Sequence, residues 1–148
     1  MRTSGNQRHP TIVVLVCVLV CWFAVHEPAA AQAARNTIIP QLQQRFGLSD
    51  GQVRGALGAL LVYARDRLPK PDFDQLAERI PDADQIMQQV KMRGIVTGPL
   101  DNIDDYEASL SSLGIGKPVA AQFPPAVLEY LGAAGYTRER DILARVLD

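Results

Sequence analysis

From residue 37 onward, apolar residues recur at helical spacing. In "GQVRGALGALLVYARDRL", residues 51–68, Val53, Leu57, Leu60, Leu61, Ala64 and Leu68 follow one another at intervals of 4, 3, 1, 3 and 4. That is one face of a 3.6-residue helix. Ser49 and Gln52 have the S-x-x-Q spacing of a capping box, and Leu48 and Val53 flank it as a hydrophobic staple. "LPKP" is expected to end this helix at about Leu68.

The same grammar continues on both sides. Thr37 is placed to cap "IIPQLQQRF", where Pro40 falls in the first turn and Gly47 is the stop. Asp72 is expected to open a short helix through Phe73, Leu76, Ala77 and Ile80. Pro81-Asp82 ends it and starts another, with Ile86, Met87, Val90 and Met92 on its buried side. "RGIVTGPLDN" reads as a linker, and "IDDYEASLSSL" as a helix with acids in its first turn, which suits the helix dipole. The stretch "GIGKPVAAQFPPAVLEYLGAAG" is helical, with a break expected near Phe123 because Pro124 and Pro125 follow. Thr137 is expected to cap the last helix, "RERDILARVL". No stretch alternates as a strand would. The expected fold is all-α, with six or seven short helices.

An internal repeat organises this series. At an offset of 67, residues 46–80 align without a gap on 113–147. Identical pairs include Gly47/Gly114, Ala59/Ala126, Leu61/Leu128, Tyr63/Tyr130 and Leu76/Leu143. Two related helical halves would each cover the other's apolar face.

The first residues follow a different plan. "MRTSGNQRHP" is positive, "TIVVLVCVLVCWFAV" is apolar, and small residues with A-x-A spacing follow. This is the pattern of a secretory signal peptide, 1–31, cut after Ala31 or, on the alternative spacing, after Ala33. The rival is an uncleaved anchor, but fifteen residues fall short of the roughly 20 that span a bilayer. The expected mature chain, 32–148, is a single domain that is periplasmic or secreted, with no stable membrane span.

Removing the leader changes the chemistry on offer. Cys17, Cys21, His9, His26 and Trp22 all lie within it, so the mature chain has no Cys, His or Trp. Disulfides, Cys/His zinc sites and His-based triads are thereby excluded. Without Arg2, Arg8 and Glu27 the chain keeps thirteen basic and fifteen acidic residues. Nothing in it is basic enough to point to nucleic acid.

Four features remain to be weighed. Gly47, Gly51, Gly55 and Gly58 form neither a P-loop nor a G-x-G-x-x-G fingerprint. Gly47 reads as a cap, while Gly55 and Gly58, each costing about 1 kcal/mol relative to alanine, imply a close neighbour. The expected neighbour is the repeat partner around Ala126 to Tyr130. "PDFD" (71–74) and "PDAD" (81–84) read as helix starts. Asp101, Asp104, Asp105 and Glu107 could take calcium but lack EF-hand order, and a solvated helix start is preferred. Tyr63, Tyr106, Tyr130 and Tyr136 read as half-buried core residues, and Arg65 and Arg67 as partners of a helix C-terminus. No catalytic, cofactor-binding or metal residue is assigned, and no cofactor is expected.

"LSDGQVRGALGALLVYARDRLPKPDFDQLAERIPDADQIM" resembles the first half of the VcgC/VcgE-like family of exported bacterial proteins of unknown function, through Phe73, Leu76, Ile80, Pro81, Ala83 and Asp84. "LGIGKPVAAQFPPAVLEYLGAAG" is similar to the family's second half, through Leu113, Gly114, Phe123, Pro125, Leu128 and Tyr130. The chain departs from the family in a more polar middle, "KMRGIVTGPLDNIDDYEA", and at Gly116, where many members have serine. The resemblance implies an all-helical exported domain and carries over no catalytic residue. The expected function is a non-enzymatic module that binds an envelope or extracellular protein through a helix face. The alternatives are a carrier of an apolar ligand between the two halves and an enzyme limited to carboxylates, tyrosines and arginines.

Overall fold

The computed structural model describes residues 37–148; the expected leader and both expected cleavage positions lie outside the described residues. Seven α-helices follow one another, with no strand among the described residues. They are α1 (Ile38–Phe46), α2 (Asp50–Arg65), α3 (Lys70–Ala77), α4 (Ala83–Met92), α5 (Ile103–Ser111), α6 (Lys117–Ala133) and α7 (Thr137–Leu147).

Helix α2 is the centre. Its capping box is formed: Gln52 N–H donates to Ser49 Oγ at 3.3 Å, and Ser49 N–H donates to Gln52 Oε1 at 3.0 Å. The Gln52 amide also donates to the Leu113 carbonyl at 3.0 Å. A glutamate would make the box but not this bond, having no N–H. Beyond the first turn, every residue from Gly55 to Ala64 is buried. The apolar stripe is therefore only part of the story. The small residues on the opposite side are covered too, because α4 lies along them while α1, α5 and α3 pack around the rest. A helix enclosed on all sides is apolar all round.

The glycines explain how closely α4 approaches. A Cβ on Gly58 would stand 2.7 Å from Val90 Cγ1, 2.8 Å from Ile86 Cγ2 and 3.0 Å from the Ile86 carbonyl oxygen. A Cβ on Gly55 would meet the Leu113 side chain at 2.6 Å. The neighbour at Gly58 is thus α4 and at Gly55 is Leu113 in the turn after α5, rather than the segment Ala126 to Tyr130. The offset pairing compares two halves; it does not require aligned residues to touch.

Several boundaries differ from the sequence reading. Helix α2 ends at Arg65, not Leu68: Arg67 N–H already turns to the Ala64 carbonyl at 3.1 Å. Pro69 disfavours α geometry at Leu68, so the chain unwinds before it. Helix α3 begins at Lys70, ahead of Asp72, with Pro71 in its first turn. Met92 is 78% exposed rather than buried. It lies two residues past buried Val90, roughly 200° around the helix, and so faces out. Tyr136, not Thr137, is the N-cap of α7.

The largest departure is at Pro124 and Pro125. Both lie inside an unbroken α6. Two N–H donors are lost there, which would pair with the carbonyls of Ala120 and Ala121. The helix continues because Phe123, Ala126, Val127 and Leu131 are buried along one side of it. Phe123 also stacks on Phe46 of α1, with ring centroids 5.9 Å apart.

The segment 93–102 contains no helix, as expected of a linker, yet Ile95, Val96 and Leu100 are buried. Arg67 holds it. Its guanidinium donates to the carbonyls of Leu100, at 2.8 Å, and Asp101, and lies 3.7 Å from the centre of the Tyr63 ring.

Candidate functional site

The N-terminal part of α2 and the length of α4 enclose a cleft of about 380 Å³. Its chemistry follows from what each helix leaves uncovered. Ile86 and Val90 turn inward to Gly58, so Gln85 and Gln89, one turn apart, are left on the cleft side. Gly51 opens the α2 wall: a Cβ there would meet nothing within 4 Å. Packing does not require glycine at this position, in contrast to Gly58.

Arg54 organises one end of the cleft. Its Nε donates to Asp50 Oδ2 at 2.9 Å, and its Nη1 is 3.9 Å from Asp82 Oδ2. Asp82 is the one non-glycine with positive φ among the described residues, at 58°. It stands at the N-cap of α4 without a side-chain cap bond. The left-handed backbone turns its carboxylate toward Arg54. The other end is set by Arg93, an exposed cation with no ion pair among the described residues. The cleft is therefore polar along its length, with acids held by arginine at one end and an unpaired guanidinium at the other.

The acids singled out from sequence separate into three environments. Asp72 of "PDFD" approaches Arg145 at 3.6 Å. Asp74, Glu78, Asp82 and Asp84 surround a second groove of about 610 Å³, floored by Phe73, Ala77 and Ala83. Lys70 holds Asp74 at 2.6 Å. In the third group Asp105 accepts from the backbone N–H of Asp101 at 3.0 Å and of Asn102 at 3.3 Å. Asn102 caps in return. Asp105 thus serves the start of α5. No group of three or more His, Cys, Asp or Glu residues among those described is arranged to hold a metal ion.

The tyrosines divide as well. Tyr63 and Tyr106 are buried, at 5% and 0% exposure, rather than half-buried, while Tyr130 and Tyr136 are intermediate. Burial pushes the Tyr106 hydroxyl well above its ordinary pKa, and its oxygen has no hydrogen-bond partner. It faces the protein interior beside Tyr63 and lines neither groove.

One ion pair, buried only on its Glu139 side, was not legible in the sequence. Arg79 Nε donates to Glu139 Oε1 at 2.9 Å and its guanidinium lies 5.0 Å from the centre of the Tyr136 ring. The hydrogen bond from Arg79 holds the Glu139 carboxyl below the usual carboxylate range. The pair ties the end of α3 to the start of α7. Gln85, Gln89 and Arg93 were equally missed as site residues. Their spacing marks only a solvent face, and nothing in it says that α2 stands opposite.

No helix among the described residues is long and apolar enough to cross a membrane. No curated protein and no solved structure matches the chain. A family model, "Protein of unknown function VcgC/VcgE (DUF2780)", matches residues 24–145. That span contains all seven helices almost to their last residue, and with it both walls of the cleft. The chain belongs to the VcgC/VcgE family.

Proposed function

We propose that the chain is a non-enzymatic interaction module of the bacterial envelope, exported by its N-terminal segment, which engages its partner through the α2–α4 cleft. The observation that carries this reading is the cleft's construction. It opens at a glycine that packing does not need, and its carboxylates face Arg54 rather than a second acid or a nucleophile. Carboxylates engaged by a guanidinium bind and orient; they are poorly placed to abstract protons. Met92, the one exposed large apolar side chain among those described, directly precedes Arg93 and adds an apolar contact at the same end of α4.

We also infer that the domain consists of two related halves. Helix α2 starts at Asp50 and α6 at Lys117, 67 residues later. Gly47 and Gly114 are both left-handed, at φ 65° and 72°, just ahead of those starts. Helix α4 and the segment after it lie in the sequence between the halves, so one wall of the cleft comes from the repeat and the other from outside it.

A photo-crosslinking residue at Gln89, compared with one at Gln44 on the exposed side of α1, tests the site in the native envelope. A partner adduct specific to position 89 is expected. Equal adducts at both positions, or a saturable turnover lost on changing a single carboxylate, would overturn the reading.

A further inference from the structure

We infer that the cleft binds the C-terminal tail of a protein partner, lying along α4 with its terminal carboxylate at Arg93. The inference rests on the cleft being the binding surface and adds the chemistry and direction of what enters it.

The order of groups along one helix gives the ligand its direction. Asp82 precedes α4 and Arg93 follows it, so the two ends of the cleft are eleven residues apart in sequence. At 1.5 Å per residue that is roughly 16 Å, the reach of about five residues of extended chain. Arg93 supplies a planar pair of N–H donors that match a carboxylate. Neither Gln85 nor Gln89 has a side-chain hydrogen bond among the described residues, and each offers both a donor and an acceptor. Carboxamides one turn apart suit the alternating N–H and C=O groups of a peptide backbone. At the far end Asp50 and Asp82 share one arginine, leaving an excess of negative charge. That end favours N–H donors or an ammonium and opposes a second carboxylate. A ligand of uniform charge meets the wrong sign at one end, whereas a chain with its carboxyl terminus at Arg93 meets the right sign at both.

Gly51 fits this reading. The open wall above it leaves room for a peptide backbone to lie against α2.

Tetra-alanine with free termini, its C-terminal amide and its N-acetyl derivative, titrated at low salt and followed by amide NMR of the whole domain, test the inference. Free tetra-alanine is expected to shift Gly51, Gln85, Gln89 and Arg93, and to bind roughly tenfold more tightly than the amide, as for one charge-assisted hydrogen bond. In Arg93→Gln the two should bind alike. The N-acetyl derivative, which like a protein's tail has no free amine, should bind as tightly as free tetra-alanine; binding lost on acetylation would mean that the cleft requires a free amino terminus and would overturn the assignment to a protein tail. Equal affinity for acid and amide in the wild type, or no shifts at the cleft, overturns it. Crosslinking at Gln89 that persists in that case leaves the interaction reading standing with a different ligand.

Discussion

Helices α2 and α6 start at the same register of the proposed repeat, yet the structure treats their outer sides oppositely. On α2, Gly55 and Gly58 are buried, and Gly58 meets α4. The residues 67 positions on are Gln122 and Pro125, and both are exposed. No helix of the described chain covers that side of α6. The difference teaches what the glycines are for. They are not a property of the long helix as such, since α6 is helical with Gln and Pro there. They mark the side on which a second helix must come close. Pro125 is exposed there, while Phe123 and Pro124 are buried on the inner side and hold the helix.

The sharpest way to break this comparison is a matched pair. Gly58→Leu should destabilise the fold by about 3 kcal/mol, since the new side chain meets the Ile86 carbonyl as well as two methyl groups. Pro125→Leu, at the equivalent exposed position, should leave stability unchanged or raise it. Equal thermal unfolding shifts for the two would show that α4 yields and that its contact is not close-packed.

Pro125→Ala isolates the proline itself. It restores a donor for the Ala121 carbonyl and removes a ring clash, worth up to about 3 kcal/mol in a helix interior. Loss of proline's restraint on the unfolded chain offsets part of that, about 0.4–1 kcal/mol. A net gain of about 1–2 kcal/mol is expected in denaturant unfolding. A net loss would mean that the proline surface is packed against something in the assembly measured.

The Arg79–Glu139 ion pair gives a smaller effect. The folded-state pKa of Glu139 is lowered by Arg79 from the ordinary 4.5. Its contribution is present above the unfolded value and is lost as pH falls through the folded one. Between about pH 5 and pH 3 the wild type should therefore lose more Tm than Glu139→Gln, by a few degrees at most, because Arg79 is partly in water. Parallel Tm curves would show that the pair contributes no net stability.

Gly51→Ala closes the series. Nothing lies within 4 Å of the added methyl, so the helix should gain, by about 0.5 kcal/mol. Gly51 and Gly58 would then differ in sign on the same helix. Destabilisation by Gly51→Ala would contradict the open wall on which the cleft reading depends.

Much of the architecture was legible in the sequence. The Ser49–Gln52 box, the left-handed Gly47 stop and the helical periods are local. They depend on which neighbours lie three or four residues away, and the structure realises each. Boundaries shifted where a local rule met a nearby proline, as at Leu68 and Asp72. The break expected at Pro124 failed because the rule weighs a lost hydrogen bond but cannot see that Phe123 is buried against Phe46. The site was less legible. Gln85 and Gln89 are ordinary polar positions until α2 is placed opposite them, and the left-handed backbone at Asp82 leaves no signature in "IPDAD".

By itself, the sequence determined the helical class, most helix starts and stops, the absence of Cys, His and Trp from residues 37–148, and the fact that something packs tightly on α2. These follow from short-range sterics, capping hydrogen bonds and composition. Only the tertiary structure decided that the tight neighbour at Gly58 is α4, that α2 is enclosed on every side, and that Arg54, Gln89 and Arg93 share one cleft. Those are pairings between segments distant in the chain, chosen by which apolar faces can be buried together, and periodicity along a single strand of sequence carries no record of the choice.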